Sequence, residues 1–148
     1  MSDSIGFLIS DVSRLMRRRF DERARAIGVT RPQWRALTAL SRHEGINQGH
    51  LADLLEVEPI TLCRMVDRLE DAGHVERRRD PSDRRAWKIF LTDRSRPLLA
   101  QLSAIADDLF VTALAGVAAA DSTRLIATLD RIRDNLSGTD DGKDAAHG

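Results

Sequence analysis

The chain has 148 residues, enough for one domain with a hydrophobic core but short for two independent ones. Its 23 basic and 23 acidic residues cancel, so a nucleic-acid partner would require segregation of charge on the surface. One cysteine excludes an internal disulfide framework, and because we find neither a signal sequence nor an apolar run of membrane-spanning length, we expect a cytoplasmic protein with no membrane partner.

The first two predicted helices are amphipathic. Over residues 5–27 the apolar side chains recur mainly at intervals of three and four, which is typical of a long helix that ends near Gly28. Thr30 is then placed to act as an N-cap, with Pro32 in the first turn of a helix that runs to about His43.

The next segment predicts a short helix, a turn and a second helix. Asn47 can cap a helix over residues 48–55, and Glu56 in the turn would be mildly strained if the turn requires a positive φ. The second helix begins at Pro59, whose missing N–H is not needed there, and stops at Gly73, which can adopt the left-handed cap.

The second helix has two chemically different sides, about 110° to 120° apart at 100° per residue. The apolar side carries Leu62, Val66 and Leu69, and the polar side carries Thr61, Arg64 and Arg68. A polar side is also what any solvated helix presents, so this helix alone does not establish a partner.

A basic hairpin follows the second helix. Residues 75–79 and 87–91 have strand character, and they flank residues 80–85, which are rich in turn formers. Between Arg77 and Lys88, six basic residues against two acidic ones give a local net charge of +4: Arg77, Arg78, Arg79, Arg84, Arg85 and Lys88 against Asp80 and Asp83. Helix, turn, helix and basic hairpin are the outline of a winged helix-turn-helix.

Two helices and a polar tail complete the prediction. Thr92 is the expected N-cap of a long helix, although Pro97 would make its first turn irregular. Asp121 or Ser122 is the expected cap of the last helix. The polar segment 137–148, rich in Gly and Asp, is predicted to be disordered.

The predicted fold class is therefore mainly α with a small β-wing. We expect a single domain over residues 1–136. It comprises a winged helix-turn-helix lobe, residues 30–92, and a helical dimerisation region, residues 5–28 and 93–136. Because the terminal helices are apolar on one side and the lobe has no spare face for all of them, we expect them to pack on a second copy in a homodimer.

The hairpin carries the most specific motif. Its sequence DPSDRRA at residues 80–86, followed by IFLT at residues 89–92, resembles the wing signature of the MarR family of transcriptional regulators. The same family is resembled by two further segments, LA at 51–52 and LEDAGHVER at 69–77. Its SlyA branch is the most similar to two others, DVSRLMR at 11–17 and QW at 33–34. The resemblance covers about residues 5–136.

The resemblance implies a sequence-specific regulator, usually a repressor, that binds a pseudopalindromic double-stranded DNA operator as a homodimer. Two-fold symmetry would set the two recognition helices about 34 Å apart, in successive major grooves. The DNA-contact residues predicted on this basis are Gln48, Pro59, Thr61, Arg64, Arg68, Arg77, Arg84, Arg85 and Lys88.

The predicted contacts have different roles. Arg64 is the first candidate to bind guanine bidentately, whereas Arg68 belongs to an Asp-Arg pair that in this family is often tied into supporting salt bridges. The resemblance implies that Arg85 enters the minor groove, with Asp83 holding its guanidinium and Arg84 near phosphate. Sequence alone does not rank Arg84 against Arg85.

The SlyA-like resemblance also implies a response to small aromatic carboxylate ligands through Arg14, Arg17 and Trp34. Two arginines one helical turn apart would donate to the carboxylate, and the indole would form an apolar wall. A solvated helix face and a core tryptophan explain the same residues. Cys63 is similarly open to two interpretations, a redox switch or a small buried side chain.

The sequence gives little support to two other functional classes, an enzyme and a protein-binding module. The four histidines and one cysteine have no paired metal-ligand spacing, and no phosphate-binding glycine loop or serine nucleophile motif is found, so we expect neither an enzyme nor a cofactor. The alternative is a winged-helix module that binds another protein without binding DNA. The arginine cluster of the hairpin favours DNA over that alternative.

Overall fold

The computed structural model describes the backbone of residues 2–144 and the side chains of residues 4–138. Its elements in chain order are α1 (Ser2–Ala26), α2 (Arg31–Arg42), α3 (Gln48–Leu55), α4 (Pro59–Asp71), β1 (Val75–Asp80), β2 (Asp83–Leu91), a 3₁₀ turn (Asp93–Ser95), α5 (Arg96–Ala113) and α6 (Ala119–Asp144). The predicted class, mainly helical with one small antiparallel sheet, is confirmed.

The chain divides into two compact units, one ending at Leu109 and the other beginning at Phe110. The hydrophobic core lies in the first unit, where α2, α3, α4 and the hairpin enclose side chains such as Leu37, Leu51, Leu62 and Ile89. Among residues 110–138 no side chain is buried. The lobe therefore has its own core, whereas the described part of the second unit has none.

Local side-chain bonds define the helix starts as predicted. Thr30 accepts from the backbone N–H of Gln33, whose side chain accepts in turn from the N–H of Thr30, so α2 begins with a capping box. The Asn47 side chain accepts from the N–H of Gly49 at the start of α3. Glu56 ends α3 with φ of 55°, the strained turn conformation considered above.

The hairpin is longer and tighter than the sequence predicted. Val75 pairs with Leu91 and Arg79 with Trp87, and after a register shift Asp80 pairs with Asp83, leaving a two-residue loop. The backbone of Ile89 bonds to Gly45 and Ile46, which fastens β2 to the loop before α3. The two strands are therefore attached to the lobe at their base and project at the tip.

The start of α5 is irregular, as Pro97 predicted. A 3₁₀ turn precedes it, so Pro97 lies in the first turn of the α-helix, where its missing N–H breaks no bond. Thr92 does not cap this helix through its side chain. Its hydroxyl donates instead to the backbone oxygen of Gly73, closing the segment that links α4 to β1.

The last helix begins earlier and ends later than the sequence predicted. The backbone N–H groups of Asp121 and Ser122 both donate to the oxygen of Ala118, so these residues lie inside the first turn and do not precede it. At the other end α6 continues to Asp144, and the Ser137 hydroxyl donates back to the oxygen of Arg133. Of the tail predicted to be disordered, residues 145–148 lie outside the described residues.

Candidate nucleic-acid interface

The helix α4 buries its apolar side and exposes its basic side. Leu62, Val66 and Leu69 are buried in the lobe. The exposed residues of the helix are Pro59 and Ile60 at its start, and Thr61, Arg64 and Arg68 along it, together with the acidic residues Asp67, Glu70 and Asp71. The polar side predicted from the sequence is therefore available to a partner along the whole helix.

Arg77 differs from the other predicted DNA contacts because its guanidinium is occupied inside the lobe. Only 12% of its side chain is exposed. It donates to the Gln48 side chain at 3.0 Å and to the backbone oxygen of Cys63 at 3.0 Å, and it pairs with Asp67 at 2.7 Å and Glu70 at 3.2 Å. These bonds connect α3, α4 and β1, so Arg77 holds the recognition helix against the hairpin.

The bonds of Arg77 also affect the roles available to Gln48, Arg68 and Cys63. Gln48 accepts from Arg77, which leaves its amide N–H groups as the donors available to a partner. Asp67 pairs with Arg77 and not with the neighbouring Arg68, which leaves Arg68 exposed on α4. Cys63 supplies a backbone acceptor to the same network, and its sulfur lies 3.7 Å from the Arg77 guanidinium.

Short-range bonds shape the tip of the hairpin, residues 80–85, called the wing tip below. The Asp80 carboxylate accepts from the backbone N–H of Ser82 at 2.9 Å and from its hydroxyl at 2.7 Å. These two bonds, helped by the charge of Lys88, hold the pKa of Asp80 below its ordinary value. The turn therefore keeps a carboxylate as its acceptor at neutral pH.

Asp83 supports the wing tip differently from what the family resemblance implied. Its carboxylate accepts from the backbone N–H of Arg85 at 3.0 Å, so it fixes the main chain of Arg85 and not its guanidinium. The side chains of Arg84 and Arg85 are exposed, and within residues 4–138 neither forms an ion pair. Two free guanidinium groups therefore project from the wing tip.

Two arginine side chains stack on aromatic rings of the hairpin, and the sequence alone predicted neither contact. Arg79 lies over the Trp87 ring at 4.3 Å, and Arg78 lies over the Phe90 ring at 4.1 Å. Arg78 also pairs with Glu76. The charges of both arginines are thus held against the strands, unlike those at the wing tip.

Of the three residues predicted to bind a ligand, Trp34 lines a cleft that Arg14 and Arg17 do not line. Trp34 is half-buried, packs against Phe20 with the rings tilted by 55° and their centroids 4.5 Å apart, and donates its indole N–H to Asp21 at 2.7 Å. Arg14 is exposed and pairs with Asp11 at 3.5 Å. A cleft of about 780 Å³ reaches Trp34 but is lined by neither Arg14 nor Arg17.

The cleft beside Trp34 has its own polar groups. Apolar side chains of α2, α3 and α5 form most of its wall, and Arg35, Arg42 and His43 also line it. Arg35 is partly engaged, since it donates to the backbone oxygen of Leu55 at 3.2 Å. The two arginines that line the cleft, Arg35 and Arg42, both lie on α2.

Neither a metal-ion cluster nor a membrane-spanning helix is found among the described residues. Among them no three His, Cys, Asp or Glu side chains are grouped closely enough to hold a metal ion. No helix in the same part of the chain is both long and apolar enough to cross a bilayer.

Comparisons with known proteins place this architecture in a family. A sequence model of the MarR family matches residues 27–86. The structure of a MarR transcriptional regulator from Methanosarcina mazei Go1 is 27% identical with a TM-score of 0.80, and the match covers 92% of this chain and 98% of that one. Transcriptional regulator PA3341 is 34% identical with a TM-score of 0.78, covering 90% and 98%.

A MarR-family regulator from Rhodococcus sp. RHA1 is 28% identical with a TM-score of 0.74, covering 89% of this chain and 94% of that one. The family match includes α2, α3, α4 and the strand and tip that follow, which are the elements that carry the exposed arginines. The chain belongs to the MarR family of DNA-binding transcriptional regulators, which are not enzymes.

Proposed function

We propose that the chain is a homodimeric repressor that binds a pseudopalindromic operator. The helix α4 enters the major groove, and the wing tip enters the adjacent minor groove. The observation that carries this proposal is the set of exposed arginines on α4 and the wing tip, Arg64, Arg68, Arg84 and Arg85, in a chain whose overall charge is zero. Segregated charge of this kind suits a polyanion.

The proposed contacts divide between bases and phosphates. Arg64, on the exposed side of α4, reads guanine through its two parallel donors, and Thr61 and Pro59 lie near the end of the helix that enters first. Arg68 binds a phosphate or a base further along. Gln48, at the start of α3, donates its free amide to the backbone.

At the wing, Arg85 enters the minor groove, where narrow A·T segments concentrate negative potential, and Arg84 and Lys88 bind the flanking phosphates. Asp83 contributes by fixing the main chain of Arg85. Arg77 belongs to the support of α4 because its donors are already used.

Exposed apolar faces on two helices support the homodimer. On α1 the side chains of Ile5, Phe7, Leu8, Ile9, Val12 and Leu15 are exposed, and on α6 those of Leu125, Ile126, Leu129 and Leu136 are exposed. Apolar area of this extent is seldom left in water, and a second copy would cover it. The two-fold axis would set the recognition helices about 34 Å apart, one turn of B-DNA.

We further propose that small aromatic carboxylates release the operator, as in the SlyA branch. Trp34 and the cleft beside it support this proposal. The carboxylate partners are either Arg14 and Arg17, as the resemblance implies, or Arg42, which lines the cleft. Calorimetry with salicylate on Arg14→Ala and Arg42→Ala separates the two sets, and equal heats for both variants and wild type would contradict ligand binding by these residues.

DNA binding at the proposed surface is tested by fluorescence anisotropy at several salt concentrations. The duplex is one that the purified protein selects from a random library. We expect Arg64→Ala and Arg85→Ala each to weaken binding on the order of 10-fold, and Arg85→Ala to lower the salt slope by about 1.8, because the homodimer loses two cations. Arg19→Ala, the same charge change on the exposed side of α1, is the matched control.

Unchanged affinity across salt concentrations in both variants would refute the proposed surface. A protein with no retention on heparin and no salt-dependent affinity for any duplex would instead favour the protein-binding alternative.

A further inference from the structure

Arg79 connects the anchored part of the hairpin to its tip. It pairs with Trp87 across the two strands, and its guanidinium carbon lies 4.3 Å from the indole centroid. Its terminal nitrogen also donates to the backbone oxygen of Arg84. Trp87 is itself half-buried and packs against the hydrophobic core of the lobe. A continuous chain of contacts thus runs from the core through Trp87 and Arg79 to the wing tip.

The wing tip needs such a connection because regular strand pairing ends below it. The register shifts between Arg79 and Asp80. Beyond the shift only Asp80 and Asp83 pair across the strands, and the side-chain bonds of Asp80 to Ser82 and of Asp83 to Arg85 join residues only two positions apart, so they shape the turn. The bond from Arg79 to the Arg84 oxygen spans the hairpin at this level.

We propose that Arg79 is a positioning residue for DNA binding. Stacked on Trp87 and bonded to the Arg84 oxygen, it fixes the main chain from which Arg84 and Arg85 project. This inference rests on the proposed function of the wing. The competing role is a direct phosphate contact, which would need only the positive charge of Arg79.

The side-chain chemistry distinguishes the two roles. A guanidinium is planar, so it can stack through its face and donate from its edge at once. A lysine ammonium keeps the charge but cannot do both in this geometry. Arg79→Lys therefore removes the clamp and keeps the charge, whereas Trp87→Leu removes the stacking surface and changes no charge.

The matched control is Arg78→Lys. Arg78 is the adjacent residue, stacks on Phe90 at 4.1 Å and pairs with Glu76, with no bond to the wing tip. In the anisotropy assay described above we expect Arg79→Lys and Trp87→Leu each to weaken binding about 3- to 10-fold. Arg78→Lys should stay within about 2-fold of wild type.

A double-mutant cycle tests whether Arg79 acts through the wing tip. In a background that carries Arg84→Ala and Arg85→Ala, the loss caused by Arg79→Lys should shrink to less than about 2-fold, because nothing remains to be positioned. An equal loss in both backgrounds, or no loss in either, would overturn the proposal.

A second measurement needs no DNA. In wild-type protein the backbone amides of Arg84 and Arg85 should have NMR order parameters near the rigid value of about 0.85, and Arg79→Lys should lower them toward about 0.6. Unchanged order parameters in Arg79→Lys protein that still binds DNA would refute the positioning role of Arg79 but not the proposed function. Wild-type protein that binds no duplex would refute the proposed function, whatever the order parameters show.

Discussion

Replacing Arg77 by lysine separates support of the lobe from contact with DNA. The Arg77 side chain is largely buried and makes four bonds, to Gln48, Cys63, Asp67 and Glu70. Lysine keeps the charge, but its compact ammonium cannot reproduce the planar fan of donors. If Arg77 served mainly as a cation for phosphate, Arg77→Lys would change the stability of the fold very little.

The expected loss follows from the exposure of each partner. The side chains of Asp67 and Glu70 are 54% and 42% exposed, so solvent screens these pairs and each contributes only about 0.2–1 kcal/mol. The bonds to Gln48 and to the Cys63 oxygen are half-buried, and each contributes about 1–1.5 kcal/mol. Because lysine retains part of the ion pairing, we expect a net loss of about 2–3 kcal/mol.

Thermal unfolding followed by far-UV circular dichroism measures this loss, at one fixed protein concentration because a dimer unfolds in a concentration-dependent way. The midpoint should fall by about 5–10 °C for Arg77→Lys. Arg78→Lys, the same exchange at the exposed neighbour, should shift it by less than about 2 °C. Equal midpoints for Arg77→Lys and wild type would refute the assignment of Arg77 to the support of α4.

Three further changes test the local chemistry of the lobe. Thr30→Ala removes the cap of α2 and should cost about 1 kcal/mol in urea denaturation, and a change under about 0.3 kcal/mol would argue against the capping box. Burial raises the pKa of Asp21, but hydrogen bonds from Arg31 and Trp34 outweigh burial, so the pKa in the folded protein is lower than in the unfolded chain. The ionised carboxylate therefore stabilises the fold at pH values above the unfolded pKa, and this stabilisation is lost as the pH falls through the lower folded pKa. The stability difference between wild type and Asp21→Asn should therefore be present at about pH 6 and shrink near about pH 3, whereas a difference independent of pH would contradict it. Glu56→Gly should raise the free energy of unfolding by about 0.5–1 kcal/mol, because glycine relieves the backbone strain at this positive φ. A lower free energy of unfolding would show that the turn is unstrained.

The features that the sequence predicted best depend on bonds within a few residues. The cap at Thr30, the bounds of α3 and the start of α4 at Pro59 all follow from side chains that satisfy or lack a nearby backbone group. The irregular turn before Pro97 has the same origin. Such effects are local, so a single sequence is enough to identify them.

The features that the sequence missed depend on long-range partners. In a run of three arginines, nothing in the sequence distinguishes Arg77, whose partner Gln48 lies 29 positions away. The stack of Arg79 on Trp87 depends on the register in which the two strands pair. The sequence predicted strands over residues 75–79 and 87–91 but did not predict their register. Counting outward from a two-residue loop would have paired Arg79 with Arg84, because the register shifts between Arg79 and Asp80, so no regular pattern in the sequence gives this pairing.

The cleft beside Trp34 also depends on long-range packing. Arg14 and Arg17 were grouped with Trp34 by family resemblance, but the cleft beside Trp34 depends on how α2, α3 and α5 pack. The indole is held by Phe20 and Asp21, which the helical pattern of the first helix does not identify as partners.

Selection of duplexes from a random library by the purified protein tests the central claim most directly. The account predicts enrichment of an inverted repeat whose half-site centres lie about 10 base pairs apart, with A·T-rich steps where the wing tips enter. Enrichment should be lost in a variant that carries both Arg64→Ala and Arg85→Ala. Selection of an unrepeated site, or of no sequence at all by well-folded protein, would contradict the account.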